Sequence, residues 1–271
     1  MADAILCARL FGHLASWGTQ AAGNSVRPTS RHPPRGALIG IVAAAHGISR
    51  ADEATLAQLG RSLLVAAASH GRRRVIEDFR TVQTVAVSAK AVHRTRADAL
   101  AHGVVHTSTS ERQHVEDGLW RVFLACTEES PFSLDAIAAA LERPSYELYL
   151  GRREFPLALP PSPQIEPGGL QRALAAYPAV PLPEGAFGVG ELRSALKAMA
   201  RLFKPDEEFD LTWDGGFPGA PDDGFRSSVF DDPASRAAWR FHARPEWRKR
   251  MAPLPAVARP SLHDEFFGEE F

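Results

Sequence analysis

Residues Ala4–Phe11 read AILCARLF, and this stretch decides how the rest of the chain is interpreted. Apolar side chains occupy both alternating sets, with Ile5 and Cys7 on one side and Leu6 and Leu10 on the other. A strand that is apolar on both faces belongs in the middle of a sheet that is covered on both sides. The sequence therefore predicts a central strand here.

A helix is predicted beyond the polar loop Gly12–His32. Proline fits the first turn of a helix because an N–H is not needed there, so Pro33 and Pro34 mark the start. The apolar stripe that follows runs to about His46, and Gly47 is expected to end the helix.

The next segments alternate in a familiar order. A short helix is expected after Ser49, and a helix capped by Ser133 is expected to run to Leu141. A long polar excursion, Arg80–Gly118, interrupts the middle of the pattern. The remaining predicted strands are Leu63–Ala68, Val75–Phe79, Leu119–Cys126 and Tyr146–Leu150. The resulting order, β-α-β-β-α-β, predicts an α+β fold with a ferredoxin-like core, an arrangement shared by many RNA-binding modules.

Residues 1–160 are predicted to form this domain, and residues 161–271 a C-terminal extension entered through a proline-rich connector. An acidic stretch rich in proline and glycine, Asp214–Pro233, leads into the last predicted strand. The tail Ser261–Phe271 mixes phenylalanines with acids, which fits either disorder or a docking peptide. The elements predicted in the extension are a helix, Glu191–Phe203, and two strands, Phe209–Trp213 and Trp239–Phe241.

Composition indicates a soluble, cytoplasmic protein. The chain is 45% apolar, enough for a real core, and no apolar run approaches the ~20 residues that span a bilayer. The two cysteines, Cys7 and Cys126, lie in apolar runs, as expected of buried thiols in a reducing compartment. The net charge of -1 argues against a protein that binds polyanions over its whole surface.

Positive charge is nevertheless concentrated near the N-terminus. Residues 4–50 contain five arginines and no acid. Arg27, Arg31 and Arg35 follow one another at intervals of four and lead into the predicted helix start, where free N–H groups and the helix dipole favour anions. We therefore expect a phosphate site there, and Thr29 lies within it; the alternative is a solvated loop.

The segment Trp17-Gly18-Thr19-Gln20 places an aromatic ring beside a glycine and two polar side chains, directly after the central strand. This pattern fits a platform on which an RNA base packs. The alternative is a core tryptophan that closes the sheet.

A second group of cations flanks the long excursion. If the excursion is a protruding hairpin, its stems bring Arg80, Arg112 and His114 together at the sheet edge, and Arg152 and Arg153 can join them. The alternative is a set of surface salt bridges, which contribute little energy.

The sequence shows no enzyme signature. Nucleotide-binding glycine motifs and metal-ligand spacings are absent, so no cofactor or metal is predicted. His114, beside Arg112, is a titratable group of the kind that acid–base catalysis uses.

These segments, taken in order, resemble the CasD-like RAMP subunits of type I-E CRISPR Cascade. The resemblance covers roughly residues 4–160 and is carried by six pieces. They are Ser16-Trp17-Gly18, the block Arg27–Gly40, the alanine-rich helix ending at His46-Gly47-Ile48, Asp78-Phe79-Arg80-Thr81-Val82, Arg112 with Asp117, and Tyr149-Leu150-Gly151-Arg152-Arg153. Two positions differ from the usual pattern, since His114 replaces a tyrosine and Phe155 a cysteine. The resemblance leaves one alternative open, because related subunits in another CRISPR branch cut RNA: a metal-independent endoribonuclease that processes precursor RNA, with His114 in an acid–base role.

The resemblance implies a non-catalytic subunit that grips the 5′ handle of crRNA with an RRM-like core. It also implies that residues 81–117 form a thumb and that the partners are the Cascade backbone and large subunits, with target DNA possibly reached through the complex and no membrane involved. The candidate RNA-binding residues are Trp17, Gly18, Thr19, Gln20, Arg27, Thr29, Arg31, Arg35, Arg80, Arg112, His114, Arg152 and Arg153.

Overall fold

The fold is taken from a computed structural model of the chain. It describes residues 4–19, 26–85, 94–102, 105–177, 207–235 and 240–253. Within these ranges no helix is both long enough and apolar enough to cross a membrane. The predicted helix Glu191–Phe203, the residue Trp239, the tail Ser261–Phe271 and the candidate Gln20 lie outside the described residues.

The chain forms a mixed α/β structure dominated by one antiparallel sheet. Its elements in chain order are β1 (Ile5–Ala15), β2 (Trp17–Gly18), β3 (Val26–Arg27), β4 (Thr29–Ser30), α1 (Arg35–Ala45), α2 (Glu53–Ser62), β5 (Leu63–His70), β6 (Arg74–Val85), α3 (Arg96–His102), β7 (Val105–Cys126), α4 (Leu134–Glu142), β8 (Gln164–Glu166), α5 (Gly169–Ala176), β9 (Phe209–Asp214), β10 (Phe225–Ser235) and β11 (Arg240–Met251).

Strand β1 lies inside the sheet, as predicted, and its side chains supply two separate cores. Leu6 and Leu10 pack in a cluster with α1, α2 and α4. Ile5 and Cys7 pack in a second cluster with α5 and β9. The apolar character of both faces of β1 thus follows from helices covering the sheet on either side.

The 22-residue strand β7 organises the sheet. Its C-terminal half lies between β1 and β5, from Leu6↔Leu124 to Ala15↔Val115 on the β1 side. Its N-terminal half pairs antiparallel with β6 along twelve positions and parallel with β3. The predicted excursion is therefore a long hairpin whose second strand continues without interruption into the core. The strand order across the core is β10-β11-β9-β5-β7-β1-β8.

The predicted strand Tyr146–Leu150 is wrong. This segment makes only an isolated bridge between Tyr149 and Pro156, and the place beside β1 is taken by β8. Leu148 and Leu150 are buried in the first core although they belong to a loop, and their alternation imitates a strand.

Two cap predictions have different outcomes. Ser133 caps α4, accepting a hydrogen bond from the Ala136 N–H at 3.2 Å. Ser49 does not cap α2; Asp52 does, accepting from the Thr55 N–H at 3.1 Å. Both residue types stabilise a helix start in the same way, so spacing alone did not separate them.

The C-terminal part adds strands to the same sheet. Strand β9 agrees with the prediction for Phe209–Trp213, and it pairs with β5 and β11. The acidic stretch, for which no strand was predicted, contains most of β10, and β11 is much longer than the short strand predicted to end at Phe241. These charged strands were not predicted because their side chains form ion pairs with one another instead of packing in an apolar core.

Candidate nucleic-acid interface

Three adjacent strands align the first candidate cations. Arg27 on β3 is in register with Arg112 on β7, and Arg112 is in register with Asp78 on β6. Side chains at matched positions of neighbouring strands project from the same face of a sheet. The exposed Arg27 and the half-buried Arg112 are therefore neighbours at the base of the hairpin.

Arg80 and Arg152 complete this group, which we call the hairpin-base cluster: Arg27, Arg80, Arg112 and Arg152 with Asp78, His114 and Glu154. Arg80 Nε donates to Asp78 Oδ2 at 2.5 Å, and Arg80 Nη2 lies 3.6 Å from Glu154 Oε1. The Arg80 hydrogen bond lowers the pKa of the Asp78 carboxyl. Burial, followed by the nearby charge of Arg112, lowers the pKa of Arg152.

Several buried polar atoms of this cluster have no hydrogen-bond partner among the described residues. They are Arg112 Nε, His114 Nδ1 and Arg152 Nη1. Arg152 Nη1 is 3.8 Å from Glu154 Oε1, which is an ion pair but too long for a hydrogen bond. Leaving a buried donor unsatisfied costs about 1–3 kcal/mol, so these donors favour an added acceptor.

His114 itself is only 3% exposed and packs edge-on against Phe155 with 4.9 Å between ring centroids. Its burial, and next the charge of Arg152, lowers its pKa, so the ring is neutral at neutral pH. A neutral, enclosed imidazole supports the packing of the cluster rather than a contact with a solvent-borne ligand. Phe155, at the position where the resemblance expects cysteine, provides the apolar half of that packing.

The loop that carries Arg152 is held tightly against the end of β1. Ser16 N–H donates to Leu150 O at 3.0 Å, and Phe155 N–H donates to Arg152 O at 2.9 Å. Gly151 adopts a φ of +84°, and a Cβ there would lie 1.9 Å from Ser16 O. Only glycine allows this approach, so Gly151 fixes the position of the two arginines that follow it.

Trp17 is a core tryptophan and does not form the predicted platform for an RNA base. It is 1% exposed and packs edge-on against Trp120, with 5.1 Å between ring centroids. An RNA base cannot reach a ring enclosed in the core. Gly18 and Thr19 are exposed beside it, and the Thr19 N–H donates to Pro28 O at 3.3 Å.

The loop from Thr29 to Arg31 is fixed by the hairpin and by β7. Thr29 Oγ1 accepts from the Trp17 N–H at 2.8 Å, and its own N–H donates to Gln113 Oε1 at 3.4 Å. Trp120 Nε1 donates to Arg31 O at 3.0 Å. The backbone is thereby anchored while the Arg31 side chain stays exposed.

Arg35 is placed differently from the other candidates. Its side chain is 9% exposed; Nε donates to Asp214 Oδ2 at 3.0 Å, and Nη2 donates to Leu63 O at 3.0 Å. Its backbone N–H donates to Asp231 Oδ2 at 3.1 Å. A carboxylate thus occupies the start of α1 where the sequence led us to expect a phosphate, and the guanidinium is used within the protein.

A groove of about 730 Å³ runs beside the cluster, between α1 and the loop 146–153. Its floor includes Gly40 and Ala44, and Arg153 is part of its lining. Arg50 and Tyr146 also line it, and neither was a candidate from the sequence. Tyr146 is 53% exposed, a solvent-facing aromatic that the mistaken strand assignment concealed.

The structure therefore brings Arg27, Arg80, Arg112 and Arg152 together and places Arg153 nearby in the groove. It does not bring Arg35 or Trp17 to that surface. Asp214, Asp231 and Arg244 were missed altogether. Asp214 and Asp231 contact Arg35 across 179 and 196 residues of sequence, and no local pattern marks such pairs. Among the described residues, no three His, Cys, Asp or Glu side chains are placed to hold a metal ion.

Comparison with known proteins gives a family. Residues 5–245 match the family model described as CRISPR-associated protein (Cas_Cas5). The chain is 30% identical over 155 residues to the CRISPR system Cascade subunit CasD of Escherichia coli strain K12, covering 57% of this chain and 68% of that protein.

Two solved structures are similar in fold. A chain of a CRISPR RNA-guided surveillance complex matches with a TM-score of 0.57 at 24% identity over 95% of both chains. A crystal structure of a Cas protein matches with a TM-score of 0.50 at 21% identity over 92% of this chain and 95% of that one. The family match spans both the central sheet and the C-terminal strands, and the chain therefore belongs to the Cas5 family of CRISPR-associated proteins.

Proposed function

We propose that this chain is the Cascade subunit that binds the 5′ handle of crRNA at the hairpin-base cluster. The observation that carries the proposal is the group of arginines at the foot of the hairpin with buried N–H donors that lack an acceptor among the described residues. A phosphodiester supplies both the missing acceptors and the compensating negative charge. Family membership and the similarity to CasD support the same assignment.

The proposed contacts are narrower than the sequence candidates. Arg27, Arg31, Arg112 and Arg152 neutralise phosphates, and Gly18, Thr19 and Thr29 border the path of the backbone. Arg80 joins them once it exchanges Asp78 or Glu154 for a phosphate. We leave Trp17, Arg35 and His114 out of the contact set because all three are enclosed by protein.

The groove beside the cluster extends this path. Arg153 and Arg50 supply charge along it, and the exposed ring of Tyr146 offers a surface for stacking a base. Single-stranded RNA is bound in this way by many proteins that combine a basic track with aromatic platforms.

We also propose that β1, β5, β7 and β8 with α1 and α4 form a ferredoxin-like core and that the β6–β7 hairpin is the thumb. The hairpin then docks on the backbone subunit, and the large subunit covers the handle from the other side. Target DNA is reached through the complex in the cytoplasm. Phe79 on the hairpin is 63% exposed, as expected of a large apolar side chain that a neighbouring subunit covers.

Charge reversal tests the handle site. The variant Arg27→Glu/Arg31→Glu, expressed with its Cascade partners, is expected to lose most of the crRNA that co-purifies with the complex. The matched control is Arg61→Glu/Arg143→Glu, which makes the same change of charge at exposed positions outside the cluster. Equal RNA content in the two complexes would reject the site.

We propose further that the subunit does not cleave RNA. Its rival role is that of a metal-independent endoribonuclease using His114, and the burial of that ring speaks against the direct contact with a ribose hydroxyl that such a base needs. Incubation of the purified chain with repeat RNA in EDTA is expected to leave the RNA intact. A product of defined size that His114→Ala abolishes would establish the rival.

A further inference from the structure

A network of buried ion pairs joins the C-terminal strands to the start of α1. Arg244 on β11 makes two hydrogen bonds to Asp231, from Nε to Oδ1 at 2.6 Å and from Nη2 to Oδ2 at 2.8 Å. Arg244 Nη1 also donates to Asp214 Oδ1 at 2.8 Å. Asp214 and Asp231 in turn accept from the side chain and the backbone N–H of Arg35, respectively.

This network is enclosed and satisfied on most sides. The Asp214 side chain is 8% exposed and the Arg244 side chain 11%. Asp214 Oδ2 also accepts from the Val65 N–H at 2.9 Å, which ties the network to the central sheet. Breaking one member of such a buried network leaves an uncompensated charge, so its geometry is strongly maintained.

The network also controls the entry of the chain into α1. Pro34, the residue before the helix, provides no side-chain cap, and Asp231 supplies one from another strand. The β10 backbone lies directly against the first turn, since a Cβ on Gly36 would be 3.2 Å from Asp231 O. Two residues before Pro34, His32 Nε2 lies 3.7 Å from Glu246 Oε1 on β11.

Arg31 lies between two anchors as a result. Its carbonyl accepts from Trp120 Nε1 on one side, and the Arg35 N–H, four residues further on, is held by Asp231 on the other. A long arginine side chain has many rotamers, and fixing its backbone reduces what must be ordered when a ligand binds.

We propose that Asp231 and Arg244 are positioning residues for RNA binding, which fix the start of α1 and thereby orient Arg31. The inference rests on the proposed function and gives the C-terminal strands a role in it. These strands then belong to the handle site without touching RNA themselves.

The test is a double-mutant cycle on the purified full-length chain with a labelled single-stranded RNA of the handle sequence. Asp231→Ala is expected to weaken binding about tenfold, the effect of losing one charge-assisted contact. Because Asp231 acts through Arg31, adding Arg31→Ala to Asp231→Ala is expected to weaken binding less than twofold further. Arg112→Ala, on a strand outside the network, is expected to be additive with Asp231→Ala.

The matched control is Asp223→Ala, which removes an exposed ion pair to Lys249 on the same group of strands. It is expected to leave RNA affinity unchanged. Full additivity of Asp231→Ala with Arg31→Ala, or an effect of Asp223→Ala equal to that of Asp231→Ala, would overturn the proposal.

Amide exchange on the RNA-free protein separates this inference from the proposed function. Asp231→Ala is expected to speed the exchange of the Arg35 N–H about tenfold or more relative to Asp223→Ala, because its acceptor is lost. An unchanged rate overturns the positioning role whether or not the wild-type chain binds RNA. If Asp231→Ala fails to fold, Arg244→Gln takes its place, since it removes the charged group that makes two hydrogen bonds to Asp231. Unchanged RNA affinity and unchanged exchange of the Arg35 N–H in Arg244→Gln then count against the proposal.

Discussion

Arginine has three distinct roles in this chain. Arg121 is buried and donates to Leu174 O and Tyr177 O at 2.8 and 2.7 Å, so it ends helix α5 from inside the core. Arg35 holds helix α1 against the C-terminal strands. Arg112 and Arg152 keep buried donors without acceptors among the described residues, and such donors favour a ligand that supplies an acceptor.

The environment of His32 predicts a dependence of stability on pH. Burial, followed by the charges of Arg248 and Arg73, lowers the pKa of His32 to about 4. The unfolded chain takes up a proton near pH 6.5, so the folded state loses stability as the pH falls from about 6.5 to about 4. Between pH 7.5 and pH 5, His32 is expected to account for about 2 kcal/mol of the loss.

Urea unfolding of wild type and His32→Asn at both pH values checks this. Between pH 7.5 and pH 5, His32→Asn should lose about 2 kcal/mol less unfolding free energy than wild type. His13→Asn, at an exposed position, should behave as wild type does. Identical pH profiles of wild type and His32→Asn would contradict the prediction.

At the residue scale, local chemistry was predictable in part, and contacts with distant partners were not. Ser133 caps its helix because the cap bond spans three residues. The charges of Arg27 and Arg112 were recognised, and the hairpin brings them into register. Arg35 was misjudged because Asp214 and Asp231, which neutralise it, come from strands whose position no local pattern reveals.

At the scale of elements, the loop that follows α4 depends on one glycine. Gly151→Ala is expected to lower the free energy of unfolding by about 3 kcal/mol, from backbone strain at its positive φ plus overlap with Ser16. Gly216→Ala is the matched control, because Gly216 has a φ of +77° but open space around a Cβ. It should cost about 1 kcal/mol, from strain alone. Equal losses in urea unfolding would show that the overlap with Ser16 is relieved.

The hairpin is expected to be an assembly element. Phe79→Ser removes a large exposed apolar side chain from β6 and should reduce co-purification with the Cascade backbone subunit about tenfold, as loss of a central interface aromatic does. The stability of the isolated chain should change by less than about 0.5 kcal/mol, as for most surface positions.

Phe225→Ser is its control, at a residue that is 73% exposed on β10, at the opposite end of the sheet. It should leave association with the backbone subunit intact. If both variants assemble as wild type does, the hairpin does not dock there.

Elements that bury apolar side chains in the core were largely predictable, and those stabilised by charge were not. β1, β5, α1 and β9 follow from periodicity because each buries an apolar face. The charged side chains of β11 form ion pairs with one another and with Asp231 on β10; they include Arg244, Glu246 and Arg248. The sequence of these two strands therefore resembles that of a solvated loop.

For the whole molecule, the net charge of -1 means that any affinity for RNA is local. Binding should therefore weaken with salt according to the few phosphates neutralised at the cluster, with a slope of about -0.7 per phosphate for a single strand. Arg112→Ala should reduce the magnitude of the slope by about 0.7, measured by titration between 50 and 300 mM salt. Arg61→Ala, outside the cluster, should leave it unchanged.

Strand β7 contributes to both the core and the charged surface. The register that packs its apolar side chains therefore also determines the charge at that surface. Sliding β7 by a single position would turn Trp120 out of the interior and place Glu111 or Gln113, instead of Arg112, opposite Arg27. The position opposite Arg27 would then carry an acid or a neutral amide in place of the cation that attracts a phosphate. The burial of Trp120 thus fixes the register of β7, and that register determines the charge at position 112, eight residues away.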